Sequence, residues 1–221
     1  MKKEIKAFIF DVYGTLFDVH SVKKKGDELY EGKGEELSKV WRQKQLEYSF
    51  LRQIMGSYEP FLTITRDSLR YAIRSLELKD SKENEDALLA EYTKLSHYPE
   101  TEKVLSQLNH KKLAIFSNGS HDMLNPLIEQ SGLSPYFDYV ISVDEGKQFK
   151  PSPAAYTLVL KELGVNREEV LFMSSNGWDI SGAKNFGFRT AWINRGGLPE
   201  EELGLSPDTI YSDLNGILEW K

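Results

Sequence analysis

The chain has 221 residues, with 28 basic against 34 acidic side chains and a formal net charge of −6 at pH 7. That length suits one large domain or a core carrying a smaller insertion, and the acidic balance argues against nucleic acid or an anionic membrane as a partner. Cysteine is absent, which excludes disulfides, thiolate catalysis and cysteine-based metal or iron–sulfur sites, so any nucleophile must be another residue type.

An apolar run at residues 6–10 predicts a first strand. Residues from about 18 to 97 hold no strand-like run. There, 35–54 predicts one long helix with Leu37, Trp41, Tyr48 and Leu51 roughly on one stripe, and 65–76 and 84–95 predict two more, with Pro60 and Pro99 as punctuation. Beyond Pro99, short apolar runs at 113–116, 139–143, 170–173 and 190–193 alternate with amphipathic segments at 101–108, 121–130, 153–163 and 178–186. Short, nearly all-apolar runs are the signature of parallel strands buried on both faces, and strand–helix alternation implies a doubly wound α/β sheet. The expected organisation is a Rossmann-like core, 1–17 with 98–221, interrupted by a helical cap, 18–97. A separate helical domain would leave the first strand without neighbours. The first residues run straight into that strand without a signal-peptide apolar region, and no apolar run nears the roughly 20 residues of a membrane span. A cytoplasmic protein is the expectation.

In open α/β sheets ligands bind beyond the carboxyl ends of the strands, so the residues that follow each apolar run carry the functional reading. They are Asp11 in Asp11-Val12-Tyr13-Gly14-Thr15, then Ser117-Asn118-Gly119, then Lys150-Pro151, then Ser174-Ser175-Asn176-Gly177-Trp178-Asp179. Singly, each has a plain structural explanation: a turn aspartate, a helix cap, a solvated lysine, a second capping carboxylate. Jointly, a carboxylate, a hydroxyl–amide pair, a cation and a second carboxylate at four strand ends point to a catalytic edge.

These motifs, in this order, resemble the haloacid dehalogenase superfamily, and the resemblance covers the whole chain. Most members are magnesium-dependent phosphatases with a second aspartate two residues after the nucleophile and a metal-binding aspartate in the last motif. Here those positions are Tyr13 and Ser175, and magnesium favours carboxylate ligands. The departures, together with 17–22 (Phe17-Asp18-Val19-His20-Ser21-Val22), 41–48 (Trp41 to Tyr48), the Ser174–Asp179 run and Trp192-Ile193-Asn194-Arg195, resemble the L-2-haloacid dehalogenase branch.

The resemblance implies metal-independent hydrolysis of short L-2-haloalkanoic acids to D-2-hydroxy acids, without a cofactor and in a homodimer. Asp11 would attack C2 and form an ester, since a carboxylate needs no deprotonation at neutral pH. Asp179 would activate or orient the water, with Ser174 and Asn176 assisting. Lys150 would keep Asp11 and Asp179 ionised side by side. Thr15 and Ser117 would donate to the Asp11 carboxylate, and Tyr156 would complete the constellation. Arg42 would assist halide departure. It can share a helix face with Gln43 and Leu46 through i, i+3 and i, i+4 spacing. Tyr13, Leu46, Phe61 and Trp178 would line an apolar pocket, and the backbone at Val12-Tyr13 with Ser117-Asn118 would hold the substrate carboxylate.

Three rival readings remain at this point: a related hydrolase opening a strained ring such as azetidine-2-carboxylate, a magnesium-dependent phosphatase, and a binding protein on an inherited fold. His20, His97, His110 and His121 have no ligand-like spacing, and Lys23-Lys24-Lys25 reads as a solvated surface.

Overall fold

The computed structural model describes residues 4–221. Its centre is β1 (Ala7–Phe10), every residue of which is buried. Around it stand β2 (Lys112–Ser117), β3 (Tyr139–Ser142), β4 (Val170–Ser174), β5 (Arg189–Ile193) and β6 (Thr209–Tyr211), in the order β3-β2-β1-β4-β5-β6 and all parallel. β1 pairs with β2 on one side and β4 on the other, with Phe10 opposite both Ile115 and Met173. The chain therefore leaves β1 towards β2 and β3, then returns to β4. That reversal is a topological switch point, where such sheets open a crevice. Register carries Asp11 one step beyond the strand, its amide still donating to Met173 O at 2.9 Å.

The chain divides into two compact units. The sheet unit holds the residues up to Phe17, His97–Asn118 and Gly132–Lys221. It carries α5 (Thr101–Ser106), α7 (Pro153–Leu163) and α8 (Gly177–Phe186). α7 and α8 pack on one another, and α8 packs on β4 and β5. The second unit, Asp18–Ser96 with Gly119–Ser131, is all helical: α1 (His20–Leu29), α2 (Gly34–Met55), α3 (Phe61–Ser75), α4 (Lys82–Glu91) and α6 (His121–Gln130).

Several boundaries differ from the sequence expectation. α1 escaped it because Lys23-Lys24-Lys25 and Gly26 dilute the apolar period, and only Val22 and Gly26 are buried. α3 starts at Phe61, with Pro60 in extended conformation (ψ 147°) directly before it. α4 starts at Lys82 because the Ser81 hydroxyl caps Asn84 N. Val143 belongs to a 3-10 turn rather than to β3, and β6 is only three residues long. The buried stripe of α2 is Leu37, Trp41, Gln45 and Ser49, whereas Leu51 is exposed. Strict i, i+4 spacing drifts around a 3.6-residue helix, so the stripe recruits polar Gln45 and Ser49. Gln45 Nε2 donates to Thr65 Oγ1 at 2.8 Å and Ser49 Oγ donates to Leu46 O at 2.7 Å, which satisfies both inside the unit.

Candidate active site

Asp11 is 6% exposed and ringed by donors. Its Oδ2 accepts from Thr15 Oγ1 at 3.0 Å, Ser174 Oγ at 3.1 Å and Asn176 Nδ2 at 3.1 Å. Its Oδ1 accepts from Lys150 Nζ at 3.0 Å. The donors come from three places that parallel pairing brings together: the turn after β1, the end of β4, and the loop before α7. Val12 O closes that first turn by accepting from the amides of Thr15, Leu16 and Phe17. Gly14, at φ +83°, sits where side-chain-bearing residues are strained, and a Cβ there would stand 2.9 Å from Ser175 Oγ and push that hydroxyl aside.

Lys150 is 1% exposed. Its ammonium bridges the two carboxylates, 3.0 Å from Asp11 Oδ1 and 2.6 Å from Asp179 Oδ2, and gives a third hydrogen bond to Phe116 O at 3.2 Å. It also lies 5.1 Å and 5.2 Å from the ring centres of Phe116 and Phe172, within reach of their negative faces. Burial alone pulls an ammonium's pKa down, but Asp11 and Asp179 outweigh it and hold Lys150 above the ordinary lysine value. Asp179 is wholly buried in the first turn of α8, whose N-cap is Asn176. Burial and the neighbouring Asp11 charge push its carboxyl up, against the opposing pull of Lys150 and Tyr156. Tyr156 Oη donates to Asp179 Oδ1 at 2.7 Å, and burial together with the Asp179 charge raises its phenol well above the usual range. The hydroxyl therefore stays a donor.

Asn118 brackets the main chain of Lys150: its Oδ1 accepts from Lys150 N at 2.8 Å and its Nδ2 donates to Lys150 O at 3.4 Å. Ser117 is buried at the end of β2, opposite Ser142. Val12 and Tyr13 are buried beside Asp11, and Trp178 is half-buried at the start of α8. Thus Asp11, Thr15, Asn118, Lys150, Tyr156, Ser174, Asn176 and Asp179 form one connected network. Arg42, Gln43, Leu46 and Phe61 belong to the helical unit. Within it Arg42 Nη1 donates to Gln45 Oε1 at 2.6 Å, Gln43 is exposed, Leu46 is half-buried and Phe61 is buried.

Gly182 is a site-shaping residue without a sequence signal. A Cβ on it would fall 2.5 Å from Pro151 Cβ and 2.6 Å from Tyr156 Oη. Only a side-chain-free position on α8 lets α7 bring that hydroxyl to Asp179.

A divalent cation does not suit this donor set. The place between the two carboxylates is filled by the Lys150 ammonium. Among the described residues no three His, Cys, Asp or Glu side chains gather into a group that could hold a metal ion. What the arrangement offers instead is a donor-ringed carboxylate, a fixed cation and a second carboxylate, all buried, where electrostatic terms are strong.

A family model for haloacid dehalogenase-like hydrolases matches residues 5–187. The chain is 49% identical over 217 residues to an (S)-2-haloacid dehalogenase of Xanthobacter autotrophicus, covering 95% of this chain and 85% of that one. It is 44% identical over 218 residues to haloacetate dehalogenase H-2 of Moraxella sp. (strain B), covering 98% and 97%. The solved L-2-haloacid dehalogenase of Xanthobacter autotrophicus with chloropropionic acid covalently bound superposes with a TM-score of 0.89 at 42% identity, over 97% of this chain and 96% of that chain. With the family model over residues 5–187 and near full-length relatives at 44–49% identity, the chain belongs to the haloacid dehalogenase-like hydrolases.

Proposed function

We propose that the protein hydrolyses short L-2-haloalkanoic acids to D-2-hydroxy acids, releasing halide, without a metal or other cofactor. The observation that carries this is the asymmetric treatment of Asp11: three neutral donors on Oδ2 and one cation on Oδ1, shared with Asp179.

In the first step an Asp11 oxygen attacks C2 from the side opposite the halogen. The C–O bond forms as the carbon–halogen bond breaks, the halide leaves with the bonding pair, and the centre inverts. The product of this step is an ester of Asp11. In the second step water adds to the Asp11 carboxyl carbon, its proton passing to Asp179, and the three donors that surround Oδ2 suit the negative charge that develops on a carboxyl oxygen there. Collapse expels the alkoxide of the hydroxy acid, which takes the proton back from Asp179, and Asp11, left as a carboxylic acid, gives up its proton to return to the carboxylate. Net, one water is consumed and one halide and one proton are released. The oxygen delivered to the product in a first turnover comes from Asp11, and the water oxygen stays in Asp11.

Arg42 is assigned to the departing halide on the resemblance, with Gln43, Leu46, Phe61, Tyr13 and Trp178 around the substrate and the Val12-Tyr13 and Ser117-Asn118 backbone on its carboxylate. The helical unit is proposed to serve as the cap subdomain that the resemblance implies. A homodimer in the cytoplasm completes the reading. What supports it is that Leu51, Ile54 and Met55, all at the end of α2, are exposed large apolar side chains, and that a chain without cysteine needs no oxidising compartment.

The deciding experiment measures halide release from separated L- and D-2-chloropropanoate with excess chelator, followed by single turnover in 18O water. Release from the L-isomer alone, unaffected by chelator, with label in Asp11, is expected. Activity only with magnesium and a phosphate ester would overturn the reading.

A further inference from the structure

Beyond the residues that touch Asp11, β5 ends in a segment, Trp192-Ile193-Asn194-Arg195, that the chemistry above leaves without a task. The structure assigns it one: we propose that Arg195, held by Glu100, is a positioning residue that fixes Thr15, and through it the Oδ2 side of Asp11. This rests on the reading of Asp11 as the nucleophile.

Arg195 Nη2 donates to Thr15 O at 3.0 Å and to Glu100 Oε1 at 2.7 Å. The guanidinium lies 3.5 Å from the ring centre of Tyr98, so stacking and the ion pair set its plane. Both charged side chains are mostly covered, at 18% and 14% exposed. A charge-assisted bond to a backbone carbonyl in such a place is stronger than its exposed counterpart. Thr15 is fully buried. It is gripped by its carbonyl from Arg195, while its hydroxyl donates to Asp11 Oδ2 at 3.0 Å and accepts from Ser175 N at 2.8 Å.

The same segment holds the opposite side of that last bond. Trp192 Nε1 donates to Ser175 O at 3.1 Å, immediately before Asn176, which donates to Asp11 Oδ2. Asn194 sets the spacing between the two grips: its N donates to Tyr211 O, and its side chain closes a turn on Leu198 N and O at 2.9 Å and 2.8 Å. One strand end thus pins both Thr15 and the Ser175-Asn176 loop, which supply two of the three Oδ2 donors. A Lys150 ammonium on Oδ1 does not depend on this grip, because Asn118 fixes its backbone separately.

The test is a double-mutant cycle of Arg195→Gln with Thr15→Val, read as kcat and KM on L-2-chloropropanoate and as amide hydrogen exchange at Ser175. Expected is a tenfold or greater loss of kcat in Arg195→Gln with KM changed less than threefold, partial rescue by Arg195→Lys, and less than a twofold further loss when Arg195→Gln is added to Thr15→Val. Ser175 exchange should quicken in Arg195→Gln, a readout that needs no substrate. Glu100→Gln, which keeps the guanidinium but takes the charge from its tether, should give a smaller kcat loss in the same direction and carries the test should Arg195→Gln not fold. Losses that multiply in the double variant, or unchanged kcat and unchanged Ser175 exchange in both Arg195→Gln and Glu100→Gln, would overturn the proposal. A wild-type protein that releases no halide while Ser175 exchange responds as expected would instead refute the functional reading and leave the grip standing.

Discussion

Lys150 Nζ and Asp179 Oδ2 stand 2.6 Å apart with neither side chain more than 1% exposed. A pair so buried gains stability only while both partners are present, because each charge alone carries its full desolvation cost. Here the same ammonium also serves Asp11, so two carboxylates depend on one cation.

Lys150→Met should therefore do more than slow the reaction. It leaves two carboxylates facing each other in a dry site, with an expected stability loss of about 3–5 kcal/mol and no measurable halide release. The loss should narrow as pH falls, since protonating either carboxylate removes the repulsion. Urea unfolding of variant and wild type at several pH values checks this. A variant equally destabilised at every pH would show that the ammonium is not what keeps the carboxylates together.

The pH profile follows from the direction of two shifts. Burial, with the Asp11 charge, raises Asp179, so on acidification it takes up a proton earlier than an ordinary aspartate, near 3.9. The hydrolytic step needs its carboxylate, so kcat should fall on an acid limb that lies above that value, with ester accumulating on Asp11. On the alkaline side Lys150, held above the ordinary 10.5, keeps its charge beyond the usual lysine range. Rapid-quench measurement of halide burst and steady-state rate across pH tests both limbs. An acid limb at or below the usual aspartate range would contradict the role given to Asp179.

How much of this was legible in the sequence follows physical lines. β1 to β5 were readable because strands buried on both faces must be nearly continuous apolar runs, and the polar residue after each run marks where the sheet opens. That reading singles out Asp11 directly after the first run, and Lys150 and Asp179 in the segments that follow the third and fourth. β6, a three-residue Thr209-Ile210-Tyr211 at the sheet edge with none of them buried, has no such run, and the lysines of α1 break up its apolar period. Gly182 and Glu100 had no local signal at all. Their importance comes from what α7 and the segment after β5 bring against them, and only the packed chain specifies those approaches.

Glu169 offers an acid-stability test away from the active site. Lys6 Nζ lies 2.7 Å from its carboxylate, and Asn166 N and Nδ2 donate to it at 2.9 Å and 3.1 Å. The Lys6 hydrogen bond first, then the Asn166 amide, lower its pKa to about 2 from 4.5. A depressed carboxylate stabilises the fold fully above the unfolded value and loses that contribution as pH falls through the window from about 4.5 to about 2. Glu169→Gln should thus be less stable than wild type at neutral pH, with the two converging as pH drops through that window. Thermal unfolding across pH measures it, and a constant difference down to pH 2 would refute the linkage.

The sharpest test of site packing is Gly182→Ala. The added methyl would fall 2.5 Å from Pro151 Cβ and 2.6 Å from Tyr156 Oη, so α7 or the tyrosine must move. Overpacking of this kind costs about 1–3 kcal/mol, and loss of the 2.7 Å bond to Asp179 Oδ1 removes a hydrogen bond to a charged group, of order 1.5–3 kcal/mol. The variant should fold, unfold at lower denaturant, and lose kcat by roughly tenfold to a hundredfold on that scale. Gly132→Ala provides the contrast. Gly132 sits at φ +75° with nothing within 4 Å of a Cβ, so its cost is backbone strain alone, about 1–2 kcal/mol, of similar size but away from Tyr156. Paired measurements of denaturant midpoint and kcat separate the two effects. If both glycine variants lose stability and only Gly182→Ala loses rate, the methyl acts through Tyr156 and Asp179. If the rate falls equally in both, it merely follows stability and the packing argument fails.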